Sequence, residues 1–598
     1  MIKSLKQLFY LLTPRQRKRF YILQIMIAIM ALIEIIGIVS IVPFMTLVGD
    51  TTQLQQDTII AKIFQASGIN SESQFILLLG FIVIFMLSIS AATSMFCTWR
   101  LCMFANNIGA EISDTLYTYY LKQEWLFHSS GSSAAMTKKI AAESLRVTNG
   151  VLVPFMTMNA RILLAFFLSL GIFIYNPIIA MIGSLFFAAA YFVIYSFVKM
   201  RIYRNGIAVS DVHEKRFRLM NEGFGGIRDV LLLGMGMTYM DRFNRSGKVL
   251  AHSQGTNQTL AQIPRYFMEL IAFGSIISLV LYLVISQDSN IGILLPTLSI
   301  YALATFKLLP AFQQIYVCIA TIRGNISGFE SIQQDLIDSK RLKHIKPSKK
   351  QGYLLPKKNI SIENVTFNYP KKAELALNQI NISIAANTTI GIAGPSGSGK
   401  STLIDILLGL IKPQRGQLKI DGVIINDENR RLWQNTIGFV SQSIFLSERS
   451  IAENIAFGIP SHEIDLKLVN QAVKHAYLDE FIKNLENGIH TKVGERGVQL
   501  SGGQRQRIGI ARALYNKAEV LVFDEATSSL DGISEKMIME SIDELSDLKT
   551  IIMVAHRLKT IQKCDQIFFI EKGKVIDQGT YEHLVKNNEH FRNMAALA

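Results

Sequence analysis

The sequence predicts a multi-domain membrane protein, an all-α domain of six transmembrane helices followed by an α/β P-loop domain. Three observations predict it. The first 330 residues hold six apolar runs, at 20–48, 74–104, 151–175, 178–198, 261–286 and 291–322. Each is near the roughly 20 residues that a helix needs to cross a bilayer. From Asn359 onward, short β-rich runs such as Ile437–Val440, Val520–Phe523 and Thr550–Val554 alternate with helical segments, the pattern of a parallel sheet covered by helices. Between one such strand and a helix lies Gly391–Thr402, GIAGPSGSGKST.

At 598 residues the chain exceeds what one hydrophobic core supports. Composition divides it into a membrane domain (1–330), a polar lysine-rich linker (331–358) and the α/β domain (359–598). The net charge of +15 would suit nucleic acid, but its placement argues against that partner. Many of the lysines and arginines flank the apolar runs, and 199–260 carries Arg201, Arg204, Lys215, Arg216, Arg242 and Lys248 among others, whereas the joint 49–73 has only Lys62. Positive loops stay in the cytosol, so both termini are expected there, in a multi-pass membrane protein. The four cysteines (Cys97, Cys102, Cys318, Cys564) have no metal or disulfide spacing. Residues 1–19 form a short amphipathic segment without a small-residue cleavage site.

Proline is absent from 105–150 and from 178–263, so nothing forces a helix to stop there. The region 199–260 is expected to fold as two antiparallel helical arms of about 30 residues, each reaching about 45 Å from the membrane.

Gly394, Gly399, Lys400 and Ser401 fill the phosphate-loop pattern G-x-x-x-x-G-K-[ST]. The residues from Gly394 through Pro395, Ser396, Gly397, Ser398 and Gly399 to Thr402 turn backbone N–H groups toward a polyphosphate, and the following helix adds its positive end. Lys400 would reach the β/γ-phosphates, and the Ser401 hydroxyl would hold Mg²⁺. The strand Val520–Phe523 ends in Asp524, placed for the Mg²⁺ shell, and Glu525, placed to polarise an attacking water. ATP and Mg²⁺ are therefore the expected cofactors.

Leu500-Ser501-Gly502-Gly503-Gln504 lies between these two motifs. A Ser/Gly turn entering a helix offers a second set of N–H groups. LSGGQ in this position resembles the signature of ATP-binding cassette (ABC) proteins, and further cassette motifs follow in the family's order. Tyr369 resembles the aromatic that stacks on adenine, and Gln442 the glutamine that also touches the metal. Gly494-Glu495-Arg496-Gly497 is similar to the exporter-specific loop, Asp531 to the D-loop aspartate, and His556 to the switch histidine. With six spans ahead of the cassette, the chain resembles a half-size ABC exporter. The resemblance implies a dimer in which each ATP lies between one copy's phosphate loop and the other's LSGGQ. A homodimer is the simplest form, and a heterodimer is the alternative. It also implies short coupling helices near 128–137 and 206–216.

Charges inside spans are costly and point to function. Glu34, Arg100, Arg161, Arg265, Glu269 and Lys307 fall within or beside apolar runs. Arg265 and Glu269 are four apart and could neutralise each other, and Glu34 could meet Lys307. Alternatively the excess of cations would hold an anionic headgroup, which arginine grips with paired donors. The segments Ile33-Glu34, Val42–Leu47, Pro264-Arg265-Tyr266 and Lys307–Pro310, with the amphipathic stretch Thr58–Phe64, are similar to bacterial lipid-linked oligosaccharide flippases of the PglK type. That resemblance implies flipping of a polyprenyl-pyrophosphate oligosaccharide to the outer leaflet. A lipid A or multidrug exporter is the alternative, and an ATP-gated channel or regulator the alternative of another class.

Overall fold

The computed structural model describes residues 1–49, 54, 59–69, 71–175, 177–286, 291–342, 352–370, 372, 374–494, 497–525, 532–546, 548–555 and 557–596. They form two compact units. One is Met1–Gln123 with Phe127–Ile345, and the other is Lys346–Ala598 with the short segment Glu124–Leu126.

The first unit is helical. An amphipathic helix, Ile2–Leu11, turns Ser4 and Leu8 inward. Pro14 then opens the helix Pro14–Val39, a first-turn position where its missing N–H costs nothing. The long helices that follow are Glu72–Leu121, Val153–Tyr175, Pro177–Gly225, Gly236–Ser286 and Ile291–Leu342. Among the described residues three stretches are long and apolar enough to cross a membrane, Pro14–Gly37, Glu72–Leu121 and Ser133–Leu170. They overlap the expected spans 20–48, 74–104 and 151–175. The other three fall on the last three helices, many of whose apolar side chains lie outside the described residues.

Local boundaries differ from expectation in instructive ways. Residues 331–342, which composition gives to a linker, continue the helix Ile291–Leu342, because polar residues are good helix formers when nothing breaks them. Residues 206–216 are not a separate short helix but lie inside Pro177–Gly225. The chain turns instead after the Gly225-Gly226 pair, into the short helix Ile227–Leu232. Of the stretch 58–64, Thr58 lies outside the described residues and the rest begins the helix Ile59–Ala66, whose Phe64 packs edge-on to Phe75 at 5.0 Å.

The proline-free stretch 105–150 is not one helix. It breaks after Leu121, resumes as Trp125–Ser130 and Ser133–Thr137, and then passes through two π-helical turns, Lys138–Glu143 and Thr148–Leu152. Such turns accommodate an extra residue where packing demands it. Here helices approach closely: a Cβ on Gly109 would strike Thr148, one on Gly150 would strike Asn325, and one on Gly206 would strike the Gly324 carbonyl. Arg146, between the two π turns, ties the crossing together. It pairs with the fully buried Glu143 at 2.8 Å and donates to the carbonyls of Gly206 (3.1 Å) and Gly324 (3.4 Å). Ser210 donates to the other oxygen of Glu143, so the buried charge is matched on both sides, as burial requires.

The second unit carries two sheets. Strands β1 (Asn359–Phe367), β2 (Leu377–Ala385), β4 (Arg415–Ile420) and β5 (Val423–Ile424) form an antiparallel sheet in the order β2-β1-β4-β5. Strands β3 (Thr389–Ala393), β6 (Ile437–Val440), β7 (Val520–Asp524), β8 (Thr550–Val554), β9 (Gln566–Glu571) and β10 (Lys574–Gly579) form the second, ordered β10-β9-β3-β8-β7-β6. Its β9-β3-β8-β7-β6 pairs are parallel, and only β10 is antiparallel. Strands β3 and β8 are buried throughout, as central parallel strands are. Ligands of such sheets bind beyond the carboxyl ends of the strands, which is where β3 and β7 deliver their motifs.

Candidate nucleotide-binding site

The loop after β3 is shaped by its glycines. Gly394 has φ +154° and Gly399 φ +107°, a region that favours glycine. A Cβ on Gly394 would strike the Ile570 carbonyl, and one on Gly399 would stand 2.6 Å from the Ala376 carbonyl. Gly399 caps the helix Lys400–Leu407, so the loop runs directly into a helix N-terminus.

Lys400 is 6% exposed and folds back on the loop. Its Nζ donates to the carbonyls of Gly394 (2.7 Å) and Pro395 (3.0 Å). Burial pulls its ammonium below the ordinary lysine range, and the carboxylates of Glu525 and Asp524 oppose that shift. Inside the same loop the Ser398 hydroxyl is buried without a hydrogen-bond partner among the described residues. Among the described residues this leaves a buried hydroxyl without a partner and a buried ammonium held by loop carbonyls, polar groups that phosphate oxygens would satisfy. The donor set fits ATP.

Tyr369 sits over this helix, its hydroxyl 3.2 Å from the Thr402 hydroxyl. Its ring meets Phe367 edge-on at 5.1 Å and has the Lys372 ammonium 5.7 Å from its centre. At the end of β7, Asp524 is half-buried, and Glu525 takes a left-handed φ of +52°. The Glu525 N–H donates to the Val554 carbonyl at 3.1 Å. That pose directs its carboxylate to Gln442, whose Nε2 donates to Glu525 Oε2 at 2.6 Å. The structure therefore brings Gln442 and Glu525 together, with Lys400 within electrostatic reach of Glu525 and Asp524.

Ser501 caps the helix Gly502–Tyr515 reciprocally: its hydroxyl accepts from the Gln504 N–H at 3.2 Å, and Gln504 Oε1 accepts from the Ser501 N–H at 2.9 Å. Among the described residues no hydrogen bond or ion pair joins Ser501–Gln504 to the phosphate loop of the same chain. Asp531, His556, Glu495 and Arg496 lie outside the described residues.

One carboxylate here escaped sequence reasoning. Asp405, five residues after Lys400, accepts from the Trp125 indole at 3.2 Å, with Trp125 grouped in this compact unit. Burial raises its pKa to about 6. The available signal was a lone acid among the apolar positions of LIDILLGL.

The candidate headgroup residues fare unevenly. Arg265 Nε bonds Glu269 Oε1 at 2.6 Å, so these two do pair. Arg100 is exposed, its guanidinium 5.9 Å from the Trp99 ring. Glu34 is half-buried on Pro14–Val39. Lys307 lies on Ile291–Leu342, with its side chain outside the described residues.

The site thus combines a glycine-rich loop between a buried parallel strand and a helix, two acids closing the next strand but one of the same sheet, and a separately capped LSGGQ helix. Residues 377–528 match the ABC transporter family model. The chain is 31% identical over 389 residues to an ATP-dependent lipid A-core flippase of Alkalilimnicola ehrlichii, covering 63% of each. It is 41% identical over 233 residues to one of Cupriavidus pinatubonensis, covering 39% of this chain and 40% of that protein. It thus spans less than two thirds of either relative. Its fold matches a bacterial Atm1-family ABC exporter solved with ATP bound, with TM-score 0.78, 20% identity and coverage of 97% and 98%. The chain therefore shares the fold of that exporter, a helical domain followed by an α/β domain that contains the ABC transporter match.

Proposed function

We propose that the chain is an ATP-driven exporter that works as a pair of identical copies in a bacterial inner membrane and moves a phosphorylated glycolipid from the inner to the outer leaflet. The observation that carries the ATP step is the phosphate loop, with its buried Lys400 and orphan Ser398 hydroxyl, facing the Gln442–Glu525 pair. Lys400, Ser398 and the loop N–H groups would hold the phosphates, Tyr369 the adenine, and Ser401, Asp524 and Gln442 the magnesium ion. Magnesium would neutralise phosphate charge when bound. Glu525 orients water and takes its proton, while Gln442 positions the Glu525 carboxylate. Asp531 and His556 are assigned to the same site by their motifs.

A second copy would supply what one chain lacks, since among the described residues Ser501–Gln504 make no bond to their own phosphate loop. Every cassette motif position is filled in this sequence, so a homodimer gives two equal sites. Nucleotide sandwiched between copies would draw the cassettes together and reorient the membrane helices.

For the cargo, the lipid A-core flippase relatives support a lipid A class of substrate, while the segments around Glu34, Arg265 and Lys307 support a polyprenyl-pyrophosphate oligosaccharide. Both are anionic glycolipids. ATPase rate in proteoliposomes separates them: stimulation by one and indifference to the other names the cargo. Indifference to both, with a response to hydrophobic drugs alone, refutes the glycolipid reading.

A further inference from the structure

The helix Gly502–Tyr515, capped by Ser501 and Gln504, buries a polar side chain that the cap does not explain. Gln506 is 1% exposed, and among the described residues neither its Nε2 nor its Oε1 has a hydrogen-bond partner. An amide buried with both halves unmet is destabilising, whereas an apolar side chain of the same length would fill the space without that cost. The arrangement in which this amide is bonded is therefore a different one.

Its place on the helix shows what it faces. Helical spacing puts Gln506 on the same side as Gly509, one turn nearer the LSGGQ residues. Gly509 is where the segment after Gln442 rests, since a Cβ there would strike the Ile444 side chain. The contact continues as Arg512 donates through Nη2 to the Phe445 carbonyl at 3.0 Å and through Nε to the Asn454 carbonyl at 2.8 Å. A Cβ on Gly497, just ahead of the LSGGQ turn, would stand 2.7 Å from the Leu446 side chain. The stretch Ile444–Leu446 thus lies along the LSGGQ helix, and two residues before it Gln442 donates to Glu525 at 2.6 Å. Gln506 stands between the turn that would meet phosphate and the contact that leads to Gln442.

We propose that Gln506 is a positioning residue for ATP hydrolysis. When the nucleotide of a second copy engages Ser501–Gln504 and shifts the helix, the Gln506 amide takes up hydrogen bonds with the backbone of residues 442–444, and these set Gln442 against Glu525. The assignment deepens the paired-copy reading and rests on it. At 1% exposure the side chain does not reach nucleotide, so it acts through Gln442. A purely structural glutamine would have its amide bonded in the fold described, and a packing role alone would need no amide.

The test uses the full chain in nanodiscs holding two copies, with Gln506→Met, which keeps the side-chain length and removes the amide, and Gln506→Leu as a second apolar filling. Loss of one to two hydrogen bonds from the closed pair should lower kcat for ATP about tenfold. KM should stay within about twofold, since the phosphate loop is untouched. The thermal midpoint of both variants should rise by a few degrees, because an unmet amide has been removed. In a Gln442→Ala background, Gln506→Met should lower the remaining turnover by less than about twofold, as expected of residues that act as one unit. A lowered midpoint in both variants would show the amide already bonded and overturns the proposal. Full additivity with Gln442→Ala overturns the route through Gln442. Wild-type turnover at full rate with one copy per nanodisc refutes the paired-copy reading. An unaltered kcat for Gln506→Met in discs where the wild type needs two copies refutes this proposal alone.

Discussion

Replacing Lys400 by methionine tests the phosphate loop most directly. Nζ is engaged by two loop carbonyls at 2.7 and 3.0 Å, and ATP would exchange these bonds for phosphate oxygens. Each bond given up costs about 1 kcal/mol net. A unit charge pair at about 4 Å returns about 4 kcal/mol at the effective dielectric of a partly buried site, and the second phosphate charge adds to it. The difference, about 2–4 kcal/mol, corresponds to between about 30-fold and several hundredfold in ATP affinity. The variant also strips the Gly394 and Pro395 carbonyls of their donor, so a small loss of nucleotide-free stability should accompany the binding defect. Equilibrium binding of a fluorescent ATP analogue, with thermal unfolding of the same samples, reads both. An affinity within threefold of wild type would refute the assignment of Lys400 to the phosphates.

Glu525→Gln keeps an oxygen for Gln442 to donate to but removes the base; turnover should fall by about 10²–10⁴-fold with ATP affinity retained, and phosphate release at near wild-type rate would contradict the role. Asp405, with a folded pKa of about 6 against an ordinary 3.8, binds its proton more tightly folded than unfolded, so stability is lost as pH rises from about 4 through 6. Asp405→Asn should therefore stabilise the protein at pH 7.5 by on the order of 1 kcal/mol, discounted for partial exposure, and leave it unchanged at pH 4; equal shifts at both pH values would refute the titration. Arg146→Ala strands the fully buried Glu143 and should cost about 3–5 kcal/mol, which the double change Arg146→Met with Glu143→Gln should largely restore; a single-variant loss under 1 kcal/mol in denaturant unfolding would show that the pair is not buried as described.

The phosphate loop could be located from the sequence because its geometry admits few residues. Gly394 and Gly399 stand where any Cβ meets a backbone carbonyl, and a motif forced by such contacts survives as a string of letters. The strands of the second sheet were legible for a related reason, since central parallel strands must be apolar on both faces. The helical unit was less transparent. The π turns around Arg146 follow from how Gly109, Gly150 and Gly206 let helices approach, and those partners are between 39 and 175 positions apart in the chain. The turn at Gly226 was marked by its paired glycines, yet the exporter resemblance drew attention to 206–216 instead. Arg265–Glu269 pairing followed from helical spacing alone. The unbonded amide of Gln506 could not be foreseen, because a missing partner has no letter of its own.

The reciprocal cap at Ser501 and Gln504 has a consequence for how the chain idles. Each of the two residues has its amide hydrogen already answered by the other's side chain, which leaves chiefly the glycine amides between them to greet an incoming phosphate. A lone signature turn is thus a shallow trap for stray cytosolic anions. In the proposed pair of copies it would gain its grip only on a triphosphate already anchored by the other copy's phosphate loop, which would make closure respond to the fuel rather than to its debris.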